Sequence, residues 1–288
     1  MNFSALAETI TNQLIARIEA GNLEQCVMPW HTAGSHFAPL NATTGNYYQG
    51  FNILALYVAG TDNNYPTPKW ATYNQWQDAD AQVRRGEKQT RIVKWVPVKK
   101  KDSEDETILL PKVYGVFNAA QVDGAHQDDD APRTKVDTLA NVEDYIANTN
   151  AAIERGGPRA FYRPSEDKIY LPAVDDFHST EANYAVTLHE LTHWTGAPHR
   201  LNRQLGHDRN SNEYAFEELV AELGAAMLCA RLNISAQPRD DHASYIANWL
   251  TALKNDPKHI VTAASHARKA IEHIDQLQPA NQPEPIAA

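Results

Sequence analysis

In the run TLHELTHWTG, residues 187–196, His189 and His193 stand four apart with Glu190 between them. Four residues make about one helical turn, so a helix here presents both imidazoles on one face with the carboxylate beside them. Ala185, Val186, Leu188 and Leu191 surround these positions and make the helix amphipathic, which predicts that it is buried. Two imidazoles on a buried helix need a common partner, and the H-E-x-x-H arrangement offers one in a divalent metal ion. Any fold this chain adopts must therefore bring a second element against this helix to complete the coordination.

A catalytic zinc takes three protein ligands and leaves its fourth position to water. Two candidates compete for the third place. His199 is the first, because HELTHWTGAPH also satisfies the longer pattern in which a glycine turn swings a third histidine back onto the ion. That pattern is accompanied by a downstream Met-turn, whereas Met227 lies inside the helical run LVAELGAAMLCA. Glu218 is the second, and the preferred one: Glu218 and Glu222 share a helical face in AFEELVAELGA, with Phe216, Leu219 and Leu223 giving that helix a core side. Glu222, one turn on, is then placed to hydrogen-bond His189. Zinc is the default ion for two imidazoles and a carboxylate, with manganese or another divalent ion as the alternative. The expected chemistry is metal-assisted hydrolysis of a peptide bond, with Glu190 as the base that takes the proton from water. The segment DKIYLP, 167–172, is expected to be an edge strand that aligns the substrate by strand addition.

At 288 residues the chain exceeds one typical domain, and two α+β units are expected. The N-terminal unit, 1–122, combines a helix marked by Leu6, Ile10, Leu14 and Ile18, a helix in FNILALYVAG, a helix from Thr72 to Gly86, and strands in TRIVKWVPVKK and ILLPKVYGVFN with KDSEDET as their loop. An acidic, Pro- and Gly-bearing linker is placed at 123–134. The C-terminal unit, 135–277, begins with a helix in VEDYIANTNAAIERGG and a hairpin in RAFYRPSEDKIYLP, followed by the two glutamate- and histidine-bearing helices and by SYIANWLTALKN and HIVTAASHARKAIEHIDQL. Residues 278–288 read as a disordered tail. Two distant cysteines and no signal-peptide pattern predict a cytoplasmic protein, and no apolar run is long enough for a membrane span.

The net charge of −10 is unevenly spread: residues 69–101 carry nine basic and three acidic side chains. Arg84, Arg85, Lys88, Arg91 and Lys94 are interleaved there with Trp70, Trp76 and Trp95, and Tyr47 and Tyr48 precede them. Cations to follow phosphates and aromatic faces to stack bases are what a single-stranded nucleic-acid groove requires, so Trp70, Trp76, Tyr47 and Tyr48 join the five cations as candidate contacts. The plainer alternative is that the tryptophans fill the core and the basic strand is a solvated face.

Long clusters in both units carry a family resemblance: MPWH, PLNATTGNYYQGFNILALY, KWATYNQWQDADAQVRRGEKQTRIVKW and VYGVFNAAQVDG in the first, and IYLP, HELTHWTG, RLNR and YAFEELVAELGAAMLC in the second. The chain resembles the ArdC-type antirestriction proteins of conjugative plasmids, whose N-terminal domain also occurs in the plasmid primase TraC. This resemblance implies an N-terminal domain that binds single-stranded DNA and a zincin-like metallopeptidase domain with His189, Glu190, His193 and the Glu218 region at matching positions. It further implies a role in protecting incoming plasmid DNA, with a host restriction component as the protein substrate.

Overall fold

Leu6, Ile10, Leu14 and Ile18 are all buried along one face of helix α1, Phe3–Ala20, as their spacing predicts. A computed structural model describes the chain over residues 2–20, 38–99, 107–125, 135–206, 211–234, 253–254, 256 and 258–279. Helix α2, Phe51–Asp62, is apolar on every side and is accordingly buried between α1, strand β4 (Thr90–Lys99) and the last helix. Its Asn52 side chain donates to the Val93 carbonyl and accepts from the Val93 amide, both at 2.8 Å, which clips α2 to β4 as a neighbouring strand would.

The N-terminal sheet has the order β1-β2-β5-β4, built from Leu40–Asn41, Lys69–Ala71, Thr107–Asn118 and Thr90–Lys99. β4 and β5 pair in antiparallel register from Thr90 opposite Val116 to Lys99 opposite Thr107. Both strands were expected; the loop KDSEDET between them falls almost wholly outside the described residues. The helix expected from Thr72 to Gly86 is much shorter. α3, Tyr73–Asp78, is opened by a capping box of Thr72 and Gln75, and the chain leaves it at Asp80 with a positive φ of 56° to form β3, Gln82–Val83, against β6, Val122–Asp123.

Helix α4, Lys135–Ala147, opens the second half, but it stops before the residues AAIER that the sequence reading had included in it. Asn150, at φ 54°, breaks the helix and launches β7, Ala152–Arg155. β8, Phe161–Arg163, and β9, Lys168–Leu171, form the expected hairpin, yet the sheet order is β7-β9-β8. β9 therefore pairs on both sides, parallel to β7 and antiparallel to β8, and DKIYLP is not an edge strand; β7 and β8 are the edges. Ile169 and Leu171, fully buried, explain why β9 takes the centre.

Three long helices complete the fold: α5, Thr180–Trp194, capped by Ser179; α6, Asn212–Arg231, capped by Ser211; and α7, His259–Gln276. Most of SYIANWLTALKN and the tail beyond 279 lie outside the described residues. α5 packs on α6 and α6 on α7. Gly224 permits the first contact, since a Cβ there would stand 2.6 Å from Cγ2 of the buried Thr192. A single cluster of buried apolar side chains runs from Leu14, Leu54 and Val58 through Leu188, Val220 and Ala264, so the main core is shared by residues from both halves of the chain. Among the described residues, no helix is long and apolar enough to cross a membrane.

Candidate metal centre

α5 carries His189 and His193 one turn apart, and α6 lays Glu218 across from them. The imidazole Nε2 atoms approach to 3.2 Å, and Glu218 faces both: Oε2 lies 3.4 Å from His189 Nε2 and Oε1 lies 3.5 Å from His193 Nε2. One ligand atom from each of the three residues thus falls within 4.8 Å of the others, a set of two nitrogens and a carboxylate oxygen suited to one divalent ion. Glu190 is buried on the same turn of α5.

Around these three the polar groups are paired almost completely. Glu217 Oε1 lies 3.2 Å from His193 Nδ1, the nitrogen on the far side of the ring from the cluster. Arg203 holds Glu217 in turn: Nε donates to Oε2 at 3.0 Å and Nη2 to Oε1 at 2.8 Å, while Nη1 donates to Thr195 Oγ1 and Nη2 also to the Thr192 carbonyl. Glu222 Oε2 stands 3.8 Å from His189 Nδ1, a buried atom without a hydrogen-bond partner. An orphaned buried nitrogen is costly, and the nearest carboxylate lies a small ring rotation away; the donor set and this nitrogen together fit a site whose rings are fixed by an ion at their Nε2 edges.

The electrostatics agree with that fit. Burial alone would depress the His193 pKa, but hydrogen bonds to Glu217 and Glu218 outweigh it and hold the pKa at about 10. Burial would raise Glu218, yet its bonds to His189 and His193 keep it well below the usual carboxylate range, and Glu217 is likewise lowered by His193 and Arg203 against its burial. Three buried carboxylates facing two imidazoles form a site that demands positive charge.

His199, the alternative third ligand, is excluded from this cluster. It is 62% exposed, lies 3.2 Å from Asp167 and contacts Arg200. Arg200 stacks 3.8 Å over the Trp194 ring and pairs with Asp167, so the chain after α5 is anchored to the β8–β9 turn rather than folded back onto the histidines. Glu217 and Arg203 are the contributors that sequence reasoning missed. The Glu-Glu pair in AFEEL was the available signal for the first, and the arginine gave none by its spacing.

The candidate nucleic-acid contacts fare unevenly. Trp70 and Trp76 are 2% and 4% exposed, so neither can stack on a base; Trp76 Nε1 donates to the Phe117 carbonyl and Trp70 packs edge-on against Tyr65. Tyr48 is half-buried, its hydroxyl bonded to the Trp70 carbonyl and to Asn41. Tyr47 is exposed, with the Arg231 guanidinium 5.8 Å from its ring. Arg84 is committed to Glu87, Asp123 and the Ala120 carbonyl. Arg85, Lys88, Arg91 and Lys94 are exposed, but Arg91 and Lys94 differ by an odd number of residues along β4 and so project from opposite faces. Trp95, half exposed at 50%, is the aromatic that β4 does offer to solvent.

The sequence of the first half matches the N-terminal domain of anti-restriction factor ArdC over residues 4–139, and the second half matches a zincin-like metallopeptidase domain over 140–266. A protein designated y4eC from Sinorhizobium fredii is 41% identical over 94% of this chain and 92% of its own length. Two DNA primases TraC of Escherichia coli are 39% and 34% identical over 93% of this chain, which spans 27% and 20% of their lengths. Crystal structures of the antirestriction ArdC protein from plasmid R388 superpose with a TM-score of 0.78. The metal-free form is 36% identical and covered over 97% of its length, and the Mn(II)-bound form is 34% identical and covered over 99%.

Proposed function

The chain belongs to the ArdC family of anti-restriction factors, and from that premise we propose that it protects incoming plasmid DNA with two activities on one scaffold. Residues 1–122 bind single-stranded DNA, residues 123–134 link the units, and residues 135–277 form a metal-dependent peptidase whose substrate is a protein component of host restriction. The protein acts in the cytoplasm, where entering DNA meets restriction enzymes. The observation that carries the peptidase reading is the convergence of His189, His193 and Glu218 within 4.8 Å, with the buried Glu190 on the same turn.

His189, His193 and Glu218 hold the divalent ion, zinc by its donor set and manganese as the occupant found in the R388 relative. When bound, the ion supplies Lewis acidity that makes water more acidic and a carbonyl more electrophilic. Glu190 takes the proton of the attacking water and returns it to the leaving amide nitrogen. Glu222 and Glu217 orient the two rings through their Nδ1 atoms, and β8, an edge of the β7-β9-β8 sheet that packs on α5, is the strand available to align a peptide. Arg85, Lys88 and Arg91 carry the phosphate contacts, with Lys94 left on the opposite face of β4, and the exposed Trp95 and Tyr47 take the stacking role that the buried Trp70 and Trp76 cannot fill.

The test compares restriction protection during DNA transfer for wild type, Glu190→Gln and Arg85→Gln/Lys88→Gln, with metal content verified in each. Loss of protection in both variants is the expected result. Full protection by Glu190→Gln would leave a DNA-binding shield whose metal serves the scaffold alone.

A further inference from the structure

Three of the sequence clusters singled out in the N-terminal half, PLNATTGNYYQG, KWATYNQWQDA and VFNAAQVDG, are separated in the chain but converge on one cavity of about 440 Å³. Its apolar lining is mostly small: Ala42, Ala79 just past α3, Ala81 and Ala125, with an edge of the nearly covered Trp76. Gly124, at φ +76°, adds bare backbone to the lining, and a Cβ there would stand 3.4 Å from the Asp80 carbonyl. Around these lie Gln75, Asp78 and the half-buried Lys69.

Two lining residues, Thr43 and Gln75, are tied together through Asn41 by hydrogen bonds. Asn41 Oδ1 accepts from Thr43 N, Thr43 Oγ1 and Thr44 N, and its Nδ2 donates to Gln75 Oε1 and to the Tyr48 hydroxyl. Gln75 Oε1 also accepts from Thr72 N and Thr72 Oγ1, so what the amide can offer a ligand is its donor end. The ligand this cavity suits has a thin apolar body, an edge of donors for Asp78 and acceptors for Gln75, and an anion within reach of Lys69. Its volume lies within the usual range of small-molecule sites.

We infer that this cavity takes one nucleobase, with the adjoining phosphate at Lys69, an assignment that rests on the single-stranded-DNA reading above. Charge continuity supports it: Ala81 lines the cavity and Arg85 follows four residues later, at most about 13 Å of extended chain. A strand with one base seated here therefore runs onto exposed cations. The same base and phosphate occur in a free nucleotide, so the experiment separates the two sources.

The experiment measures fluorescence anisotropy of the full-length protein with a mixed-sequence single-stranded oligonucleotide, and with the same-length strand of abasic sugars. Ala79→Leu fills the cavity from the exposed end of α3, and Ala42→Leu fills it from a second lining position should the first variant unfold. The expected result is a roughly tenfold loss on the based strand, about 1.4 kcal/mol for one base displaced from the cavity, with abasic binding unchanged. Lys69→Gln should lower the salt slope by about 0.7, one phosphate. Equal binding of both strands by wild type, or no effect of either filled cavity, overturns the inference while leaving DNA binding intact. If no strand binds, the DNA reading falls, and titration with a deoxynucleoside monophosphate decides the cavity: saturable binding lost in Ala79→Leu supports a free-nucleotide site, and none ends it.

Discussion

Arg203 and Glu217 form a two-pronged ion pair at 2.8 and 3.0 Å with both side chains at least 97% buried, and the Oε1 that accepts from Arg203 Nη2 also meets His193 Nδ1. A charge on a loop after α5 is thus connected through α6 to one of the two imidazoles of the candidate metal centre. The pair is desolvated, so its value lies in what happens when one member is removed.

Arg203→Met leaves Glu217 buried with His193 as its remaining charged partner and with Glu218 beside it, and should destabilise the metal-free protein by about 2–3 kcal/mol. The double variant Arg203→Met/Glu217→Gln should recover much of this, because the stranded charge is gone. Chemical denaturation of the three proteins checks it; additive losses would mean that the two residues act separately.

Replacing a ligand and replacing its orienting carboxylate should differ in degree. His193→Ala and Glu218→Gln should abolish stoichiometric Mn(II) or Zn(II) binding, whereas Glu217→Gln and Glu222→Gln should weaken it by about 10–100-fold. Calorimetric titration reads both, independently of any peptidase activity. Undiminished affinity in His193→Ala would end the ligand assignment.

Gly224→Ala places a better helix former in the middle of α6 and should still destabilise, by about 1–3 kcal/mol, because the new methyl meets Thr192 at 2.6 Å. Ala at 224 with Thr192→Ser should restore part of the loss by removing Cγ2. A stabilised Gly224→Ala would show that α5 and α6 are not in close contact there.

Asp167 has its pKa lowered, first by hydrogen bonds from Arg200, against a smaller opposing effect of burial. A depressed carboxylate adds stability above its unfolded pKa, and that stability is lost as pH falls through the folded value. Asp167→Asn should therefore melt below wild type at neutral pH, and the gap should close as pH drops beneath the ordinary aspartate range. Melting curves from neutral to strongly acidic pH test it; a gap independent of pH would assign the effect to packing.

On the nucleic-acid side, Arg85→Gln/Lys88→Gln should weaken binding to a single strand and reduce its logarithmic salt slope by about 1.4, two phosphates. Arg84→Gln, whose guanidinium is held by Glu87, Asp123 and Ala120, should leave the slope unchanged and lower the melting temperature instead. Matching slopes for all three proteins would move the strand to another surface.

The helix of His189 and His193, the Glu218 helix and the β8–β9 hairpin were legible because burial writes periodicity into sequence, every fourth residue of α1 and alternate residues of β9 facing the core, while β4 and β5 were legible by their β-branched and aromatic content. Where reading went astray, single residues of unusual conformation decided. Asn150 and Asp80, both at positive φ, end α4 and α3 early, and neither carries the glycine that would advertise a turn. The position of β9 at the sheet centre depends on a parallel partner, β7, whose residues AIER look helical in isolation. The buried tryptophans were unreadable for a different reason, since indole serves a core and a base stack equally well and only neighbours distinguish the two. Arg203 stayed hidden because its partner is 14 residues away on another element.

Because α2 is covered partly by α7 and clipped to β4, the chain cannot be cut at its apparent linker without exposing apolar surface on both pieces. That predicts how such a module travels between genes: as one indivisible cassette. The primases share it accordingly, matching about 290 residues in one block that contains both halves, rather than borrowing either alone.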